Sequence, residues 1–137
     1  ARTKVLFTAH SLPQRILAAG DPYPDELRAT AEAVAARGGL GQEGRWAIAW
    51  QSAGRTPEPW IGPDILQVID DVAAGGEADG VLVSAVGFVA DHLEVLYDLD
   101  VEAAAKAAAV GLPFARTAVL NDDATVLAAL ARRVLAA

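Results

Sequence analysis

Short, continuous apolar runs alternate along this chain with helix-period patterns, and that alternation leaves few folds open. KVLFTA at residues 4–9 and RWAIAWQ at 45–51 read as buried strands. So does the most apolar stretch, over 80–89 within GVLVSAVGFVA, and a shorter strand is expected at 113–119. The spacing predicts helices over 24–37, 63–74, 91–109 and 122–136, the third with a break near Asp100. Pro24 suits the first turn of the first helix, with Leu27, Ala31 and Val34 on its buried face and Gly38-Gly39 at its end. Pro63 and Gly75-Gly76 bracket the second helix, and Asn121 or Asp122 is the expected cap of the last. Strands that are apolar throughout, rather than alternating, belong to parallel sheets covered on both faces. The expectation is therefore an α/β fold: one Rossmann-like domain, a four-stranded parallel sheet with helices on both faces. The 137 residues suffice for one such domain, and no repeat, low-complexity run or linker divides them.

Composition removes several function classes. The net charge is −7, which argues against nucleic acid as a partner, because phosphate binding needs clustered Lys and Arg. There is no cysteine, so disulfides, thiolate zinc sites and an iron–sulfur cluster held by this chain are excluded. No apolar run reaches the length of a transmembrane helix, and ARTKVLFTAH runs straight into a strand pattern with no signal-peptide form. The expected compartment is the cytoplasm. The chain has no methionine and begins with Ala1, which points to a trimmed chain or an excised piece. There is no G-x-G-x-x-G, Walker or G-x-S-x-G pattern, so nucleotide and acyl-transfer readings lose weight.

In sheets of this kind ligands bind beyond the carboxyl ends of the strands, so the residues after each strand matter most. His10, one of two histidines, stands where the first strand should end. DHLEVLYDLD, residues 91–100, follows the third strand and carries a histidine and four carboxylates. On a helix Glu94, Asp98 and Glu102 fall at i, i+4 and i+8, on one face. Like charges so spaced repel by a few tenths of a kcal/mol per pair, which water, a basic partner or a metal cation could offset. Leu93, Leu96 and Tyr97 are expected to pack inward. Spacing alone leaves a solvated face and a metal-handling face both open. In GRTPEPWIGPD, three prolines stiffen a loop around Trp60, which could stack on a flat ring or merely cap the sheet edge. Trp46 and Trp50, four apart in a strand, share a side and read as core.

TAHSLPQRI…GDPYP, AWQSAGRTPEPWIGPD and VGFVADHLEVLYDLD, in this order and spacing, resemble the C-terminal half of ferrochelatase, most of all the coproporphyrin-type bacterial enzyme. The resemblance runs from about Val5 to the last helix. It implies a lyase that inserts ferrous iron into a porphyrin in haem biosynthesis. The family's catalytic histidine matches His10 in AHSLP, and its catalytic glutamate matches Glu94 in DHLEVLYD. The two are credited with metal binding and with removing pyrrole protons. Asp98 and Glu102 then resemble the family's acidic path for metal or protons. His92 matches a supporting histidine, Trp60 the tryptophan of the porphyrin wall, and Ser52 the start of the same loop. Fe²⁺ would be a substrate, with coproporphyrin III favoured over protoporphyrin IX and no permanently bound cofactor.

The family normally carries two α/β domains in a chain of roughly twice this length. On this resemblance residues 1–137 are the C-terminal domain alone, and the missing N-terminal domain is an expected partner. Two alternatives stay open. One is a homodimeric small chelatase acting on a sirohydrochlorin-like tetrapyrrole. The other is a non-catalytic module that binds porphyrin or metal.

Overall fold

The computed structural model describes residues 2–41 and 44–137. Its centre is a sheet of four parallel strands in the order β2-β1-β3-β4: β1 Thr3–His10, β2 Trp46–Gln51, β3 Gly80–Ser84 and β4 Phe114–Arg116. β1 lies between β2 and β3, which is why its run is apolar on both faces. Val5, Phe7 and Ala9 point to one side of the sheet, and Leu6 to the other. Helix α2, Tyr23–Arg37, covers the first side. Helix α3, Ile65–Gly75, and the long helical segment 93–109 cover the second. The expected α/β architecture with helices on both faces is the observed one. The short helix α1, Arg15–Ala18, lies in the connection after β1.

Local chemistry explains most element boundaries. Pro24 stands at the start of α2, and Gly38 follows Arg37 at its end. The buried stripe of α2 is Leu27, Ala31 and Ala35; Val34, expected inside, is 42% exposed. A step of three residues from Ala31 rotates Val34 off the covered side, whereas a step of four keeps Ala35 on it. Asp64 caps α3 by accepting from the Leu66 N–H at 2.8 Å, and Gly76 closes it in the left-handed region at φ +62°. Asp123, rather than Asn121 or Asp122, caps the last helix, α6, Ala124–Leu135, accepting from the Thr125 and Val126 N–H groups at 2.9 Å. Asn121 instead takes a left-handed turn at φ +48°. Trp46 and Trp50 do share the α2 side, set edge-on to Phe7 and tilted against Tyr23.

Two strands are shorter than the apolar pattern suggests. β3 ends at Ser84, not near residue 89, and β4 spans three residues. After Ser84 the chain turns at once: Val86 N–H bonds Ser84 C=O at 2.9 Å and Phe88 N–H bonds Ala85 C=O at 3.0 Å. Ala85 is nevertheless buried, and Val86 and Phe88 pack against the core. An apolar turn that stays inside looks like a strand by composition, because periodicity cannot separate them. Gly87 makes the turn possible. Its N–H reaches the Thr8 carbonyl, and a Cβ there would stand 2.3 Å from Cβ of Ala9.

Residues 93–109 form one unbroken helical run, so the expected break near Asp100 does not occur. Its pitch changes instead: α4, Leu93–Val95, widens into a π-helix over Leu96–Ala103 and tightens again as α5, Ala104–Ala109. Val95, Leu99, Ala103 and Ala107 form its buried row, at a constant spacing of four. In an α-helix that spacing drifts about 40° per step. The wider turn of a π-helix drifts the opposite way, so a run that mixes the two pitches keeps such a row on one side. The acids at 94, 98 and 102 run beside it, one position earlier.

Candidate active site

Strand order 2-1-3-4 reverses direction between β1 and β3, so a crevice opens beyond their carboxyl ends. His10 is the last residue of β1. Glu94 arrives from the other side, on the first turn after the loop that leaves β3. Glu94 Oε2 stands 3.5 Å from His10 Nε2 across this crevice. Both side chains are partly open to solvent.

The surroundings of His10 fix which nitrogen faces the crevice. Nδ1 lies 2.5 Å from the Ser11 carbonyl oxygen, which can only accept, so Nδ1 carries a proton. In the neutral ring Nε2 then holds the free lone pair, the atom that takes a proton or a cation. Tyr23 Oη donates to the His10 carbonyl at 2.9 Å, and burial pushes the Tyr23 phenol above its ordinary value, keeping it a donor. Buried Ser11 ties the next residue down: its N–H donates to Gln51 C=O and its hydroxyl to Ile61 C=O, both at 2.7 Å.

Asp98 lies one helical step from Glu94 and is held from β2. Its Oδ2 accepts from the Ser52 hydroxyl and, at 3.4 Å, from Gln51 Nε2. Ser52 itself sits at φ +61°, a strained conformation for a residue with a Cβ. Glu102 is exposed one step further along. Among the described residues no three His, Asp or Glu side chains converge as a preformed metal cage. The arrangement is a His–Glu pair followed by a line of carboxylates.

Trp60 is half-buried on the loop after β2, in a short antiparallel bridge with Pro13. Its indole N–H donates to Thr56 Oγ1 at 2.9 Å, and an Arg15–Glu58 ion pair at 3.1 Å ties the loop to the first connection. Gly54 lets the ring approach the backbone closely, since a Cβ there would be 2.4 Å from an indole carbon. His92 caps the helix: its Nδ1 accepts from Val95 N–H at 3.4 Å, and its ring meets Phe88 edge-on. That use of Nδ1 leaves His92 as a support for the turn that carries Glu94.

Leu93, Leu96 and Tyr97 were expected to pack inward, and the structure reverses this. They are exposed, Leu93 by 80%, while Val95 and Leu99 are buried. The buried row follows the spacing of four, and the apolar residues off that row look outward with Val89 and Val101.

The basic partner that the acidic helix needs belongs to Asp100. Arg116 forks onto it with Nε and Nη2 at 2.6 and 2.9 Å. Hydrogen bonding from this guanidinium holds the Asp100 carboxyl below its ordinary value, against an opposing effect of burial. A depressed carboxyl contributes stability that is present above the ordinary carboxylate range and is lost as pH falls through the folded value. Asp100→Asn therefore flattens the acid limb of the stability curve below about pH 4, as measured by urea unfolding at a series of pH values. An unchanged slope would show the pair contributes nothing. Charge could have flagged Arg116, a lone cation at the end of the fourth strand. Gln51, Gly54 and Gly87 carry no sequence signal of their own, because their roles exist only across strands and loops.

A family model described as ferrochelatase matches residues 1–137. The chain is 51% identical to the ferrochelatase of Herpetosiphon aurantiacus over 119 residues, covering 87% of this chain and 38% of that protein. It is 50% identical to the Thermus thermophilus ferrochelatase, covering 86% of this chain and 36% of that protein. It is 41% identical to the coproporphyrin III ferrochelatase of Geobacillus kaustophilus over 134 residues, 98% of this chain and 42% of that one. The chain thus spans about two fifths of the length of these relatives. A match that runs through both halves of the His10–Glu94 crevice, and through the sheet that carries them, places the chain in the ferrochelatase family.

Proposed function

We propose that this chain carries the metal-inserting wall of a ferrochelatase, which places Fe²⁺ in a porphyrin during haem synthesis. The observation that supports the reading best is the His10 Nε2–Glu94 carboxylate pair, 3.5 Å apart over the switch-point crevice. A porphyrin takes a divalent metal only after its two pyrrole N–H protons leave, so the reaction needs a base on one face. It also needs ligands that replace the water shed by the metal, and imidazole nitrogen and carboxylate oxygen both suit ferrous iron. His10 and Glu94 fill these roles together. Asp98 and Glu102 extend the carboxylate line outward as a route for iron or released protons. Trp60, on its pinned loop, is a flat wall for the macrocycle, while Ser52 holds Asp98 and His92 supports the turn that carries Glu94.

The opposite wall belongs to a second α/β domain of the same polypeptide. Two apolar surfaces support this. Leu93, Leu96, Tyr97 and Val101 are exposed beside the crevice, and α6 presents Leu127, Leu130 and Val134 on a face that nothing covers among the described residues. Among the described residues no helix is long and apolar enough to cross a membrane. The names of the Geobacillus relatives favour coproporphyrin III as the tetrapyrrole.

The test is anaerobic iron insertion by the full-length polypeptide, followed by the porphyrin absorption band. Coproporphyrin III is expected to exceed protoporphyrin IX by at least about tenfold in kcat/KM. The 137-residue chain is expected to run as a monomer and to be inactive alone. Insertion of cobalt into a sirohydrochlorin-type tetrapyrrole by a dimer of this chain would favour a small self-paired chelatase. Binding of porphyrin without turnover by the full-length protein would make it a non-catalytic module.

A further inference from the structure

We propose that Arg116 is the positioning residue that holds Glu94 against His10. Its guanidinium ties down two points on either side of Glu94. Nε and Nη2 fork onto Asp100 inside the π-helix, and Nη1 stands 3.3 Å from Asp91 Oδ1, three residues before Glu94. Nη1 also donates to the Thr117 carbonyl at 3.2 Å, so the head is bound to the end of β4 as well. The Arg116 side chain is only 16% exposed, unlike an ordinary surface ion pair.

The Asp91 end is braced a second time. Asn121 accepts from the Asp91 N–H at 2.8 Å and donates to Asp91 Oδ2 at 3.0 Å, while its own N–H holds the Val89 carbonyl at 2.8 Å. The left-handed backbone of Asn121 turns the chain after β4 back towards this loop. The turn carrying Glu94 needs such support. α4 is three residues long, and of its residues only Val95 is buried. The edge strand β4 thereby becomes the rigid element from which the carboxylate is aimed. A planar, always-charged fork can bridge two carboxylates at fixed angles, which an ammonium does not do equally well.

The catalytic consequence rests on the function proposed above; the brace itself rests on the geometry alone. In the full-length protein, Arg116→Gln should lower kcat for iron insertion by about ten- to a hundredfold, because a displacement of about 1 Å at a reacting group costs that much. The porphyrin KM should stay within about twofold, and Arg116→Lys should recover part of the loss. A kcat within twofold of wild type overturns the proposal. So does a KM that rises in step with the loss, since Arg116 would then be touching substrate. If Arg116→Gln does not fold, Asp100→Asn, which releases only the outer grip, must show the same kcat-only loss.

Failure of the functional reading is separable. If the wild-type protein inserts no metal, amide exchange decides the brace. Arg116→Gln must then speed exchange across residues 93–103 by about tenfold with β1 unchanged. Unchanged protection there overturns the proposal.

Discussion

Glu94→Gln in the full-length polypeptide should lower iron insertion by about 10²–10⁴-fold, the usual worth of a positioned proton-transfer group. The substitution keeps the shape and removes both the negative charge and the basic oxygen. His10→Ala should cost a similar factor, because it removes the lone pair at Nε2 that the Nδ1–Ser11 hydrogen bond turns toward the crevice. The two groups form one unit 3.5 Å across, so the double variant should be little worse than the poorer single one. Thermal midpoints should change little, since both side chains are partly open to solvent. Anaerobic turnover with unfolding controls gives the answer. Activity within a few-fold of wild type in either variant would end the role assigned to the pair.

Leu99→Ala should destabilise the chain by about 2–5 kcal/mol, the range for emptying a fully buried leucine site. Leu99 is 0% exposed in the core beneath the π-helix, between Val95 and Ala103. Leu93→Ala, on the same helical run but 80% exposed, should change stability by less than about 0.5 kcal/mol. Urea unfolding of the 137-residue chain at constant m-value compares them directly. Equal losses in the two variants would mean that the buried row is not spaced by four. Because Leu99 follows Asp98, its loss should also loosen the hydrogen bonds from Ser52 and Gln51 to that carboxylate.

These contrasts show where sequence reasoning holds. Strand β1 was legible because its two neighbours force it to be apolar on both faces. The positions of His10 and Glu94 are legible too, since one ends and the other follows a recognisable strand and each lies in a long motif. The burial of Leu93, Leu96 and Tyr97 is not legible because two faces of this helix are apolar, and periodicity does not say whether they or Val95 and Leu99 meet the sheet. The widened turn over Leu96–Ala103 leaves no mark in residue types. Beyond Ser84 the apolar run has a strand's composition, although it turns at Gly87 against Ala9. That fold depends on a neighbouring strand, which composition does not contain.

Arg116 illustrates the same boundary from the other side. Its charge is visible in the sequence, but its partners lie 16 and 25 residues earlier, at Asp100 and Asp91. Only the placement of β4 beside β3 brings it to them. The sequence by itself determined the alternation of strands and helices, the residue types available at each strand end, and the absence of thiol chemistry. Those are local properties, set by periodicity and by what each side chain can do. Tertiary structure alone decided the 3.5 Å approach of His10 to Glu94, the helical face that is buried, and the basic group that steadies the acids. The reason is physical: each of these depends on the distance between residues far apart in the chain, and only strand order and packing set that distance.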